Sequence, residues 1–251
     1  MRILDKYKKE SYSEVMHLFW LCSFLIFISS LQAAPTFLVS VSPYKFFVEK
    51  IAGDFAEVEV MVPAGSSAHT FEPNPKQMVR ASKADVWFRI GEPFETKALS
   101  SLTQVNPTLE IVDLREGLSL LHGSCKEHQG CGADLHLWTS PLNGMIQAKL
   151  IAEKLSRKYP EQKERFQTNL QTFLGELKEL DLYIKQQTGN VSNRVLLVSH
   201  PAYGYFCRDY NFQELSIEFE GRDPTSKQLT SLLQNVRKYK PKAIFTQPQY
   251  S

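Results

Sequence analysis

Short apolar runs alternate along this chain with longer stretches whose apolar positions recur every three or four residues. Residues 36–41 (Thr-Phe-Leu-Val-Ser-Val) read as a buried strand ended by Ser42-Pro43. Residues 44–52 read as a helix stopped at Gly53, and residues 58–62 alternate like a strand that ends at Pro63-Ala64-Gly65. Residues 75–84 form a second predicted helix with proline at its start, and residues 84–90 a strand closed by Gly91. Further on come a strand at 194–199, a helix at 228–239 and a strand at 243–246. Strands alternating with helices predict an α/β fold with parallel sheet.

Residues 161–188 have a different character. Phe166, Leu170, Phe173, Leu174, Leu177, Leu180 and Ile184 follow helical spacing, with Pro160 before them and Gly189 after. Such a helix is ~42 Å long at ~1.5 Å per residue. It serves either as a spine along two lobes or as a long helix packed on one sheet, and periodicity does not distinguish these.

The first 33 residues carry an address. Arg2, Lys6, Lys8 and Lys9 precede an apolar run at 18–28, and small residues end it near Ala33-Ala34. This is the order of a secretory signal peptide cleaved after Ala33. The run is short against the ~20 residues a membrane span needs, and an uncleaved anchor is the rival reading. Cys22 lacks the small residues before it that lipid attachment would call for. Four basic and three acidic residues leave with residues 1–33, so the net charge falls from +2 to +1. That balance, without a basic stripe, gives no support to nucleic-acid binding.

Three histidines have rigid flanks: His69 before Thr-Phe-Glu-Pro-Asn-Pro, His136 within Asp-Leu-His-Leu-Trp-Thr-Ser-Pro, and His200 before Pro-Ala-Tyr-Gly-Tyr-Phe. They are 67 and 64 residues apart, too far for a local zinc knot. Singly, each reads as a structural histidine. Jointly, on loops predicted to follow strands, they suggest imidazoles gathered by the whole fold around a transition metal. His200 in particular sits at the C-terminal end of its predicted strand, where open α/β sheets bind ligands.

These segments, taken in order, resemble the zinc/manganese solute-binding proteins of ABC importers, the ZnuA/TroA-like family. Residues 69–75 match its first ligand motif. Residues 134–141 resemble the second, with Leu135 for the usual proline, and residues 200–206 the third, with Pro201 for the usual aspartate. Pro224-Thr225 and residues 243–249 also fit, so the likeness spans roughly 36–251. The resemblance implies a signal peptide at 1–33, an N-terminal α/β lobe at 34–160, a linking backbone helix at 161–188 and a C-terminal α/β lobe at 189–251. It implies a metal between the lobes held by His69, His136 and His200, and delivery by a monomeric periplasmic receptor to an ABC permease in the inner membrane. The family's fourth ligand, usually a carboxylate, lies beyond the last matched segment. The second lobe is therefore expected to be incomplete: either the sequence is a C-terminally truncated fragment, or the site lacks that ligand and water, or Glu218 or Glu220 after a loop movement, fills the gap. Some manganese-binding relatives carry a carboxylate where this chain has His200, so zinc is favoured while manganese and iron stay open.

Two further readings accompany this one. His122, Cys125, His128 and Cys131 recur every three residues and suit a Cys125–Cys131 disulfide after export, a metal-catching loop, or no role. A three-histidine site also suits a zinc-dependent hydrolase, although H-E-x-x-H is absent and Glu72 is the nearest base candidate. A surface adhesin is a third idea, which no residue here tests. Alkylation with and without reductant separates the disulfide from the other two readings of the cysteine loop.

Overall fold

The computed structural model describes residues 33–122, 132–218 and 224–247. The proposed leader up to Gln32, the Cys125–Cys131 segment and Glu220 lie outside them.

Two parallel sheets form the framework. The first has the order β2-β1-β3-β4, built from β1 (Thr36–Val39), β2 (Glu57–Val60), β3 (Val86–Arg89) and β4 (Glu110–Asp113). Its two central strands are apolar on both faces: Phe37, Leu38, Val39, Val86, Trp87 and Phe88 are all buried. That is the composition of a parallel sheet covered on both sides. The second sheet has the order β6-β5-β7, from β5 (Val195–Val198), β6 (Gln213–Ser216) and β7 (Ile244–Phe245).

Helices α1 (Ser42–Ala52), α2 (Pro75–Ala81), α3 (Pro93–Val105) and α4 (Pro141–Lys158) follow or flank the first sheet. Each begins with proline in its first turn, where the missing N–H is no loss. Asn74 and Gln77 close α2 with a reciprocal capping box, and the Ser140 hydroxyl accepts from Asn143 N at the head of α4. The helix expected at 75–84 stops at Ala81, followed directly by a turn into β3.

The long helix is α5 (Lys163–Thr188), 26 residues and ~39 Å. Phe166, Leu170, Phe173 and Leu177 face inward along α4 and α1, and Phe173 meets the Phe47 ring edge-on at 5.2 Å. One turn beyond Leu177, buried Asp181 accepts from the Tyr210 hydroxyl at 3.0 Å, on α6 (Gly204–Tyr210) beside the second sheet. The helix thus lays its apolar residues against α4 and α1 and makes a polar contact with α6. The last helix, α7 (Ser226–Tyr239), is capped by Thr225 and Gln228 and buries none of its residues; Ile244 and Phe245 of β7 are about half exposed. No described helix is long and apolar enough to cross a membrane.

One loop bears directly on the site. After β3 the chain turns at Gly91, whose φ of +97° strains any larger residue and beside which the Arg115 guanidinium packs where a Cβ would stand. Arg115 and Arg89 both bind Asp113 at the end of β4, at 2.6 and 2.8 Å. Burial alone would raise the Asp113 pKa, but these guanidinium bonds outweigh it and hold the carboxyl down at about 2.

Two outcomes follow from this packing. Phe173→Ala should cost about 3–5 kcal/mol in urea unfolding, because the ring is buried and its neighbours are aromatic. Asp113→Asn should destabilise near neutral pH, since a depressed carboxylate stabilises the fold above its unfolded pKa. The gap to wild type should close as the pH falls from about 4 toward 2, read from unfolding midpoints across that range.

Candidate metal centre

The three histidines predicted from spacing do come together. His69 lies in a 3-10 turn, Ala68–Thr70, between β2 and α2. His200 follows β5 directly, at the carboxyl end of the second sheet. His136 departs from the expectation of a loop after a strand. It follows a strap in which Asp134 N bonds to Leu121 O at 2.7 Å, and it caps the 3-10 turn Leu137–Thr139 that leads into α4. The ring centroids form a nearly equilateral triangle with sides of 5.4, 5.5 and 5.2 Å. One nitrogen from each ring lies within 4.8 Å of the other two.

The orientation of the rings is set from behind. His69 Nδ1 lies 3.1 Å from Glu92 Oε2, His136 Nδ1 lies 2.8 Å from Asp134 Oδ1, and His200 Nδ1 lies 3.0 Å from Glu218 Oε2. A carboxylate accepts only, so each pairing assigns the proton to Nδ1 and leaves the Nε2 lone pair facing inward. His136 Nε2 and His200 Nε2 are 3.3 Å apart. Two unprotonated nitrogens at that distance repel unless a cation joins them. A tetrahedral zinc with Zn–N of ~2.0–2.1 Å has N···N edges of ~3.3–3.4 Å, so the observed spacing matches one edge of that polyhedron.

Exposure falls from His69 to His136 to His200, with side chains 29%, 12% and 2% accessible. The Glu92 bond raises the His69 pKa above the ordinary imidazole value. Burial, then the neighbouring His136 and His69, push His200 down to about 3. Below the triangle, Glu214 accepts from Ala202 N and Tyr203 N at 3.1 and 2.8 Å and holds the loop after His200. Trp138 packs on His136 at 5.4 Å. The rings of His69 and His136 form part of the wall of an open cavity of about 480 Å³, with Pro43, Pro63, Trp138 and Tyr203 around them.

The three histidines named from the sequence come together here, and three carboxylates that the sequence did not single out as their partners stand behind them. Asp134, two residues before His136, was the locally visible one. Glu92 and Glu218 stand 23 and 18 residues from their partners, and only the fold joins them. Glu218 was expected as a stand-in ligand; it instead meets the outward nitrogen of His200 and lies behind the ring. Glu72 was the base candidate for a hydrolase. It is exposed and paired with Lys97 on α3 at 3.0 Å. In the metal-free protein, imidazole NMR should show His69 titrating above the usual value and His200 still neutral down to about pH 3.

Comparison with known proteins converges on the same chemistry. Residues 38–251 match the ZnuA family, described as the periplasmic component A of a zinc-uptake complex. A Chlamydia muridarum protein named for metal binding is 35% identical over 86% of this chain and 78% of its own length. The manganese ABC transporter substrate-binding lipoprotein PsaA of Streptococcus mitis is 30% identical over 79% of this chain and 67% of its own. A crystal structure of ZnuA superposes with a TM-score of 0.80 at 33% identity, covering 87% of this chain and 84% of that one. Against a longer relative, the zinc-binding protein AdcA of Streptococcus pyogenes, the chain spans 44% of the length. The relatives are metal receptors rather than hydrolases, and the alternative of a three-histidine hydrolase falls with that. The chain therefore belongs to the ZnuA family of metal-binding, substrate-binding proteins of ABC transporters.

Proposed function

We propose that this protein captures one divalent metal ion through the inward nitrogens of His69, His136 and His200 and hands it to an ABC permease in the membrane. The observation that carries this reading is the convergence of three imidazoles, each with Nδ1 turned onto a carboxylate. That pairing fixes tautomer and ring angle and makes the free nitrogen a better donor.

Zinc is the favoured ion. Three neutral imidazoles in a small triangle suit a tetrahedral borderline-soft cation better than manganese, which prefers oxygen donors. The names of the relatives span both metals, so iron and manganese are the competitors to include. The lobes proposed are residues 34–160 and 189–251 on either side of a linking helix at 161–188. The receptor is proposed to work as a monomer in the periplasm, after export through the leader at 1–33. Its near-neutral charge suits a small-ion carrier and not a nucleic-acid binder.

The test is elemental analysis of the purified protein after equal exposure to zinc, manganese and iron, repeated for His69→Ala, His136→Ala and His200→Ala. Zinc should bind at one ion per chain, and each substitution should abolish or sharply weaken it. Free zinc at 100 times Kd should add about 2.7 kcal/mol of stability, seen as a rise in Tm. Unchanged stoichiometry in all three variants overturns the assignment.

A further inference from the structure

The segment that follows His200 does more than connect β5 to α6. Tyr205 is fully buried and belongs to the core of the first half of the molecule, although it stands only five residues after the imidazole at the end of the second sheet. Its hydroxyl accepts from Leu121 N at 3.1 Å and donates to Asp134 O at 2.7 Å. Leu121 and Asp134 are themselves paired, Asp134 N to Leu121 O at 2.7 Å, so one phenol clamps both sides of the strap that leads to His136.

Asp134 is the residue that aims His136. Its Oδ1 accepts from His136 N at 2.9 Å and from His136 Nδ1 at 2.8 Å. Its other oxygen rests against the bare backbone of Gly204, where an added Cβ would sit at 2.7 Å from Oδ2. Asp134 is therefore held through its backbone by Tyr205 and bounded at its carboxylate by Gly204, two consecutive residues of the same segment. The rest of α6 is anchored to the first half as well. Arg208 donates to Asn143 Oδ1 at 3.1 Å and to Ser119 O at 3.3 Å, and Asp209 accepts from Ser140 Oγ.

We propose that Tyr205 is a positioning residue for metal capture: its hydroxyl fixes Asp134, and Asp134 in turn holds the His136 nitrogen at coordinating distance from that of His200. This rests on the metal-capture reading above. The 3.3 Å separation between His136 Nε2 and His200 Nε2 is then set within one short chain segment, from 200 to 205, rather than by the docking of two independent bodies. Removing the hydroxyl keeps the ring in the core, leaves Leu121 N and Asp134 O without this partner, and frees the strap.

The decisive comparison is Tyr205→Phe against Tyr210→Phe. The second variant also deletes a buried hydroxyl at the junction, that of the Asp181 bond, but touches neither the strap nor the histidines. Zinc Kd is measured by chelator competition, the visible spectrum of the cobalt-substituted protein reports ligand geometry, and the metal-free Tm reports packing. Tyr205→Phe should weaken zinc about 10-fold or more and alter the cobalt bands, while Tyr210→Phe lowers Tm yet stays within about twofold of the wild-type Kd. Gly204→Ala, which crowds the Asp134 carboxylate from its other side, should weaken zinc in the same way and decides the matter if Tyr205→Phe fails to fold. Wild-type zinc affinity and cobalt spectrum in both Tyr205→Phe and Gly204→Ala, with His136→Ala still deficient, overturn the role of Tyr205 and leave the metal site standing. A wild-type protein that binds no zinc overturns both.

Discussion

The site depends on a proton placement. Three imidazoles packed ring to ring would ordinarily be an electrostatic liability, since protonation of any one repels the others. Here Glu92, Asp134 and Glu218 each draw the N–H of one ring outward, so the inward side of the triangle presents lone pairs only. The pull is uneven in its effect. Glu92 supports the more exposed His69 toward the charged form, whereas burial and its two neighbours keep His200 neutral. The result is a concentration of donor density that a cation satisfies and a proton disrupts.

That placement in turn requires the architecture. Glu92 reaches His69 because β3 turns sharply at Gly91 under the Arg115 guanidinium, and Asp134 reaches His136 because the strap is pinned from the other half of the chain. Helix α5 contributes Phe166, Phe173 and Leu177 to one core and, through Asp181, a buried bond to Tyr210 of α6. Each histidine is carried on a short loop, and each is tied at its Nδ1 by a carboxylate from elsewhere on the chain or two residues before it.

Much of this was readable in the amino-acid order, for definite reasons. The apolar runs of β1 and β3 are continuous because both faces are covered, and the stripe of α5 holds from Phe166 to Leu177 where the helix lies on the core, while Leu180 beyond it is exposed. The histidine triangle was legible because rigid flanks and ordered motifs marked the loops. Other elements gave weaker signals: β4 and β6 are four residues each with only two and one apolar positions, Glu110-Ile111-Val112-Asp113 and Gln213-Glu214-Leu215-Ser216, and α6 is only two turns long. The carboxylates behind His69 and His200, Glu92 and Glu218, were hidden for a different reason. A pairing across 18 or 23 residues leaves no periodic trace, and an acidic residue looks the same in sequence whether it is solvated or aimed at an imidazole.

The graded exposure of the three rings gives the centre a direction. On the proposed function, an ion entering from the open cavity would meet His69 and His136, which line it, before His200, whose side chain is almost fully buried. Each contact replaces a hydration water, so desolvation proceeds in small steps instead of one large barrier. Departure reverses the sequence: the bond to the deepest nitrogen is the first that must stretch and the one at the rim the last to let go.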